Sequence, residues 1–90
     1  MYFVYVLLSK KDCRWYTGYT ADLKRRFSEH NKGENESTSK RRPFELIYYE
    51  ASINEKDARA REKFLKTGMS KRYIRNRVKN AFLNPASNGV

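Results

Sequence analysis

MYFVYVLLSKKDCRWYTGYT, residues 1–20, is the stretch on which the fold turns. Its first nine residues are β-branched and aromatic, with Phe3, Tyr5 and Leu7 on one side of the pleat and Tyr2, Val4, Val6 and Leu8 on the other. A strand that is apolar on both sides belongs in the middle of a sheet, covered above and below. The polar run 10–14 has the length of a hairpin connection, so 15–20, rich in Trp, Tyr and Thr, reads as a second strand antiparallel to the first. Cys13 falls in that turn and carries no chemistry there.

Beyond residue 20 the periodicity becomes helical. Thr20 is the expected N-cap with Asp22 in the first turn, Leu23, Phe27 and His30 or Asn31 form a 3.6-residue stripe, and Gly33 ends the helix. Residues 33–42, GENESTSKRR, hold no large apolar side chain and are expected to form a mobile basic-polar loop. Pro43 then leads into a third strand, FELIYYE. A helix starts at Asn54, with Asp57 completing a capping-box-like pattern, Ile53 and Ala58 placed as a hydrophobic staple, and Gly68 as the stop. Ser70 caps a last helix with Ile74, Val78, Ala81 and Phe82 facing the core, halted at Asn84-Pro85. The order strand, strand, helix, strand, helix, helix predicts an α+β fold: a three-stranded antiparallel sheet flanked by three helices. One domain over 1–84 and a disordered tail over 85–90 are expected, without internal repeats.

Ninety residues leave room for one modest core, so any site must lie on a surface. Twenty Lys and Arg against ten Asp and Glu give a formal charge of +10, which attracts polyanions, nucleic acid foremost. A membrane is disfavoured as partner: no apolar run approaches the roughly 20 residues that span a bilayer, and the basic helices lack a wide apolar face. No signal peptide is read at the start, so a cytoplasmic location is expected. One cysteine and one histidine supply neither a structural zinc site nor an internal disulfide.

Several residues then act together. FVYVL, followed by YTG, then T-x-D-L-x-x-R and E-H-N, resembles the GIY-YIG endonuclease domain, and ARAREKFLK resembles the helix that carries that family's acidic residue. Phe3-Val4-Tyr5 stands where the family writes GIY and Tyr16-Thr17-Gly18 where it writes YIG, eleven residues apart. The resemblance spans about residues 1–85 and is closest to small stand-alone bacterial members. It implies an endonuclease that uses Mg²⁺ or Mn²⁺, acts on DNA ahead of RNA, and serves DNA repair or processing. Its catalytic set transfers to Tyr5, Tyr16, Arg26, His30 and Glu62, with Glu62 as metal ligand. The family's asparagine about twelve residues after the glutamate is replaced by Ile74, leaving Asn76 or Asn80 to substitute.

The residue types suit the chemistry. In-line cleavage of a phosphodiester needs an activated water, neutralisation of the phosphoryl oxygens and help for the departing oxygen. Mg²⁺ accepts one or two carboxylates and keeps several waters, so Glu62 alone suffices as protein ligand. Arg26 offers a bidentate fork for phosphate one turn before His30. Tyr5 and Tyr16, on adjacent strands, face the same side; Tyr5 is read as base or relay, Tyr16 as positioner and His30 as assistant. The five tips are expected around an exposed basic hollow, with the helix after Asn54 packed across the same edge. Gly18, Lys24, Arg25, Lys40, Arg41, Arg42, Arg75, Arg77 and Lys79 are the candidate nucleic-acid contacts. No sequence-reading helix or finger is evident, so DNA structure is the expected selector. The bland alternatives are a non-catalytic basic binding module, with its tyrosines as stacking platforms, and a ribonucleoprotein component.

Overall fold

In the computed structural model, which describes residues 1–80, the doubly apolar strand is β1, Tyr2–Ser9, and it is the centre of the sheet. Antiparallel β2, Trp15–Thr20, and β3, Phe44–Ser52, flank it in the order β2-β1-β3. The α+β architecture is therefore as the sequence implies. The turn before β2 is built by Cys13 in the left-handed region, φ 61°, and by the Ser9 hydroxyl, which accepts from the Lys11 and Asp12 amides.

The two sides of β1 carry two cores. Tyr5 and Leu7 pack with Phe44, Tyr16, Leu23, Phe27 and Leu46 beneath α1, Leu23–Lys32. Val4 and Val6 pack with Ala58, Leu65 and Ile74, which come from α2, Glu55–Leu65, and α3, Gly68–Arg77. Each such aliphatic burial contributes roughly 1.5–3 kcal/mol. Arg61 makes a two-bond contact with Glu50, at 2.8 and 2.7 Å, and Tyr48 donates to the same carboxylate, so α2 is also tied to β3.

Several local details depart from the sequence reading. The N-cap of α1 is Asp22, whose carboxylate accepts from the Arg25 amide, while the Thr20 hydroxyl accepts from the Asp22 amide; the chain stays extended through Asp22 before it coils. Asn54 does cap α2, but Ile53 is 86% exposed and staples nothing, because Ala58 turns into the sheet. Gly68 opens α3 rather than closing α2. The cap of α3 is Thr67, and the buried Ser70 instead donates to the Leu65 and Thr67 carbonyls, joining the two helices. Ile74 is buried, so an asparagine there would have to enter an apolar core. Ala81, Phe82, the Asn84-Pro85 stop and the tail lie outside the described residues.

The segment 33–42 is the largest correction. It holds a 3-10 turn, Ser39–Arg41, and a wholly buried threonine, Thr38, held by backbone and side-chain hydrogen bonds. Polar groups order it where apolar ones are lacking. Asn31 anchors its far end by donating to the Phe44 carbonyl and accepting from the Phe44 amide, at 3.1 and 2.6 Å.

Candidate active site

Pairing puts Tyr5 opposite Gly18 on β2, and the two meet closely. A Cβ on Gly18 would overlap the Tyr5 hydroxyl and ring, so the missing side chain is what lets the phenol lie across the strand. There the Tyr5 hydroxyl meets His30 Nε2 at 2.9 Å, and His30 Nδ1 meets the Thr38 hydroxyl at 2.7 Å. The Thr38 hydroxyl lies 3.4 Å from the Asn35 carbonyl oxygen. Tyr16 sets its ring edge-on to His30 at 5.0 Å between centroids and tilted to Tyr5 at 6.4 Å. Among the described residues no buried side-chain polar atom is left without a partner.

Charges cross the site from two layers. Burial raises the Tyr5 pKa most, the neighbouring Tyr16 adds to it, and the Arg26 guanidinium opposes both. Glu62 contributes a smaller upward push. It is carried by α2, on the side of the sheet opposite α1. Burial, followed by Arg26, lowers the His30 pKa, with Glu29 opposing, so the imidazole is neutral at pH 7. Arg26 is paired with Glu29 at 3.1 Å, and Glu62 with the exposed Lys66 at 3.1 Å.

Tyr5, Tyr16, Arg26 and His30 gather on the α1 side of the sheet, but not as tips around an open hollow, and Glu62 is carried by α2 on the opposite face rather than by a helix packed across the same edge. Tyr5 and His30 are 0% exposed, whereas Tyr16, Arg26 and Glu62 are half-buried and reach the surface. The reason is α1, which lays its apolar stripe over the Tyr5 side of the sheet and closes it with Phe44.

The predicted nucleic-acid contacts divide. Lys24, Lys40, Arg42 and Lys79 are exposed, and Arg42 folds back over Gly33 to donate to the Ser39 carbonyl. Arg25 is exposed but paired with Glu29, and Arg41 is held by Asp12 at 2.8 Å. Arg75 lies over the Trp15 ring at 5.5 Å, and Arg77 donates to the Tyr73 hydroxyl. Gly18 is buried under Tyr5, so its place is structural.

Two hollows beside the site bring in residues that sequence reasoning missed. One of about 610 Å³ is lined by Asp12, Arg14, Trp15, Arg41 and Lys71. The next, about 300 Å³, is lined by Trp15, Tyr16, Thr17, Leu65, Lys66 and Lys71. They share Trp15 and Lys71 and end at Tyr16. Arg14, Lys66 and Lys71 carried no motif, only a charge sign. A separate apolar hollow of about 490 Å³ under α1, lined among others by Phe3, Phe27, Leu46 and Tyr49, touches none of the five residues. Among the described residues no three His, Cys, Asp or Glu side chains gather to hold a metal, and no helix is long and apolar enough to cross a membrane.

The fold is a small α+β domain with a three-stranded antiparallel sheet between helices. The family model of the GIY-YIG catalytic domain matches residues 1–80, and the chain belongs to that family. Membership implies nuclease activity on nucleic acid, in a family that generally depends on a divalent metal. Similar bacterial proteins include the UPF0213 protein in the ldhD 5′ region of Pediococcus acidilactici, 39% identical over 80 residues, 82% of each chain. The UPF0213 protein YazA of Bacillus subtilis is 41% identical over 66 residues, covering 72% of this chain and 66% of that one. The solution NMR structure of the UPF0213 protein BH0048 from Bacillus halodurans superposes with a TM-score of 0.52 at 35% identity, covering 82% of both chains.

Proposed function

We propose that this protein is a metal-dependent endonuclease that hydrolyses DNA phosphodiesters, chosen by DNA structure rather than base sequence, in cytoplasmic DNA repair or processing. The observation that carries the reading is the buried Tyr5–His30 hydrogen bond beside Tyr16, on the side of the sheet covered by the helix that presents Arg26. Arg26 transfers from Glu29 to a substrate phosphate, exchanging one anionic partner for another and opening the way to the phenol. Tyr16, at the surface, positions the attacking water. As the water oxygen attacks phosphorus, its proton passes to the Tyr5 oxygen while Tyr5 hands its own proton to His30 Nε2; the P–O3′ bond breaks and the departing oxygen takes a proton from solvent. A relay suits a phenol whose pKa is raised, because no free phenolate has to form first.

Glu62 is the carboxylate that would hold Mg²⁺ or Mn²⁺ in a one-carboxylate site, since its partner Lys66 is an exposed cation that a divalent ion could replace. When bound, such an ion supplies charge neutralisation at the phosphoryl oxygens. The hollows from Tyr16 past Trp15, with Arg14, Lys66 and Lys71, support passage of the phosphate backbone alongside.

The test incubates the protein with linear, nicked, flapped and branched DNA in Mg²⁺, Mn²⁺ or chelator, beside Glu62→Gln. Cleavage by the parent only with metal, and loss of cleavage but not of binding in the variant, is the expected result. Cleavage of none of the substrates would favour a binding module, and an unimpaired Glu62→Gln would remove the carboxylate from the chemistry.

A further inference from the structure

We infer that Thr38 is a positioning residue: it locks His30 in the tautomer that carries its proton on Nδ1, and so turns the Tyr5 proton inward and the Tyr5 lone pairs toward the site. The inference rests on the nuclease reading for its consequence, but its geometry stands apart from that reading.

The direction of the chain Tyr5–His30–Thr38–Asn35 follows from what its two ends can accept. The buried Tyr5 hydroxyl must place its own hydrogen, and His30 Nε2 is the acceptor it meets. A carbonyl only accepts, so the Thr38 hydroxyl gives its hydrogen to the Asn35 oxygen, 3.4 Å away. Between these ends one arrangement satisfies every group. Tyr5 donates to Nε2 at 2.9 Å, and Nδ1–H donates to Thr38 at 2.7 Å. Thr38, His30 and Tyr5 are each 0% exposed, so no water competes for these bonds, and a neutral imidazole has one donor and one acceptor to place.

The reversed arrangement, with Nε2–H donating to Tyr5, would leave the buried Tyr5 hydrogen without its acceptor at Nε2 and turn the Thr38 hydroxyl away from the Asn35 carbonyl, which would keep only the Thr38 amide as donor. It would also remove the acceptor to which Tyr5 passes its proton. Wrong-tautomer histidine is costly wherever imidazole takes a proton, and the group that orients the ring is then worth about ten- to a hundredfold in rate. Thr38 performs this from a segment whose composition reads as plain loop. It touches neither substrate nor reacting atoms, and acts through His30.

The test is a ¹H–¹⁵N correlation spectrum of the imidazole of the full chain above pH 7, for the parent, Thr38→Val and Thr38→Ser. The parent should show a protonated Nδ1 and an unprotonated Nε2. Thr38→Val, which keeps shape but loses the hydroxyl, should show the other tautomer or a mixture, and Thr38→Ser should restore the parent pattern. On a 5′-labelled branched DNA with Mg²⁺, Thr38→Val should lose about ten- to a hundredfold in kcat with KM unchanged, and Thr38→Ser should recover most of it. A protonated Nε2 in the parent overturns the lock even if no variant folds, and so does an unchanged tautomer in a folded Thr38→Val. A parent that cleaves nothing sinks the nuclease reading instead, and the tautomer spectra still decide the lock.

Discussion

Replacing Gly18 by alanine should destabilise the protein, although the same exchange in an ordinary strand stabilises by roughly 0.5–1 kcal/mol. The added Cβ would overlap the Tyr5 hydroxyl and Cζ and stand 3.0 Å from Cε1. Tyr5 cannot retreat, because its ring is packed against Tyr16, Leu7 and Phe44 and its hydroxyl is committed to His30. Overpacking of this kind costs about 1–3 kcal/mol. Displacing the phenol from His30 leaves buried polar groups unpaired, for a further 1–3 kcal/mol or so. The sum, about 2–5 kcal/mol, is a large part of the stability of a small domain and corresponds to a fall in Tm of roughly 10 °C or more. Urea unfolding followed by circular dichroism measures it, with the slope m checked for constancy. A double-mutant cycle isolates the cause: in a Tyr5→Val background the shorter side chain clears Gly18, so adding Gly18→Ala should then be nearly neutral. A Gly18→Ala protein as stable as its parent, or an equal penalty in both backgrounds, would refute the contact as the reason for glycine.

Stability should fall as pH drops below about 6.5, the ordinary histidine value, because the unfolded chain takes up a proton that buried His30 refuses; full stability lies above that pH, and the loss runs at up to about 1.4 kcal/mol per pH unit until the depressed folded pKa is reached. Glu50, held down by Arg61, and Asp12, lowered to about 2 chiefly by Arg41, start to lose their contributions as pH falls through the ordinary carboxylate values of about 4, so urea curves between about pH 6.5 and 5.5 report chiefly on the histidine. A parent profile that is flat there, or as steep in His30→Gln, would contradict the burial argument. Affinity for duplex DNA should drop with salt at a log-log slope near −0.9 per phosphate contacted, measured by fluorescence anisotropy. Joint replacement of Arg75, Arg77 and Lys79 should flatten that slope, Arg75 through its place over Trp15 beside the basic hollows; an unchanged slope would assign the footprint to Lys24, Arg25 and the 33–42 segment instead.

Residues 1–20 determined by themselves that the first strand is central and that the second returns beside it, since alternation on both faces of a strand is a local property that tertiary context must satisfy. The helices at Leu23 and Glu55 were legible for the same reason, being amphipathic with Asn54 and Gly33 at their ends. That Tyr5, Tyr16, Arg26 and His30 come near one another could be expected from motif spacing, but their depth, and the place of Glu62 on the other face of the sheet, could not. Which side chain is covered depends on how α1 settles on the sheet, and that burial took Tyr5 and His30 out of water while leaving Tyr16 and Arg26 at the surface. Thr38 was illegible altogether, because a lone threonine in a polar run signals nothing until chain closure carries it onto His30 Nδ1. Gly18 reads from the sequence as a candidate nucleic-acid contact, and only the register opposite Tyr5 explains it as room for a phenol. Patterns of period two and 3.6 are written along the chain; contacts between residues far apart in it, and the desolvation that sets their protonation, exist only once the chain has closed on itself.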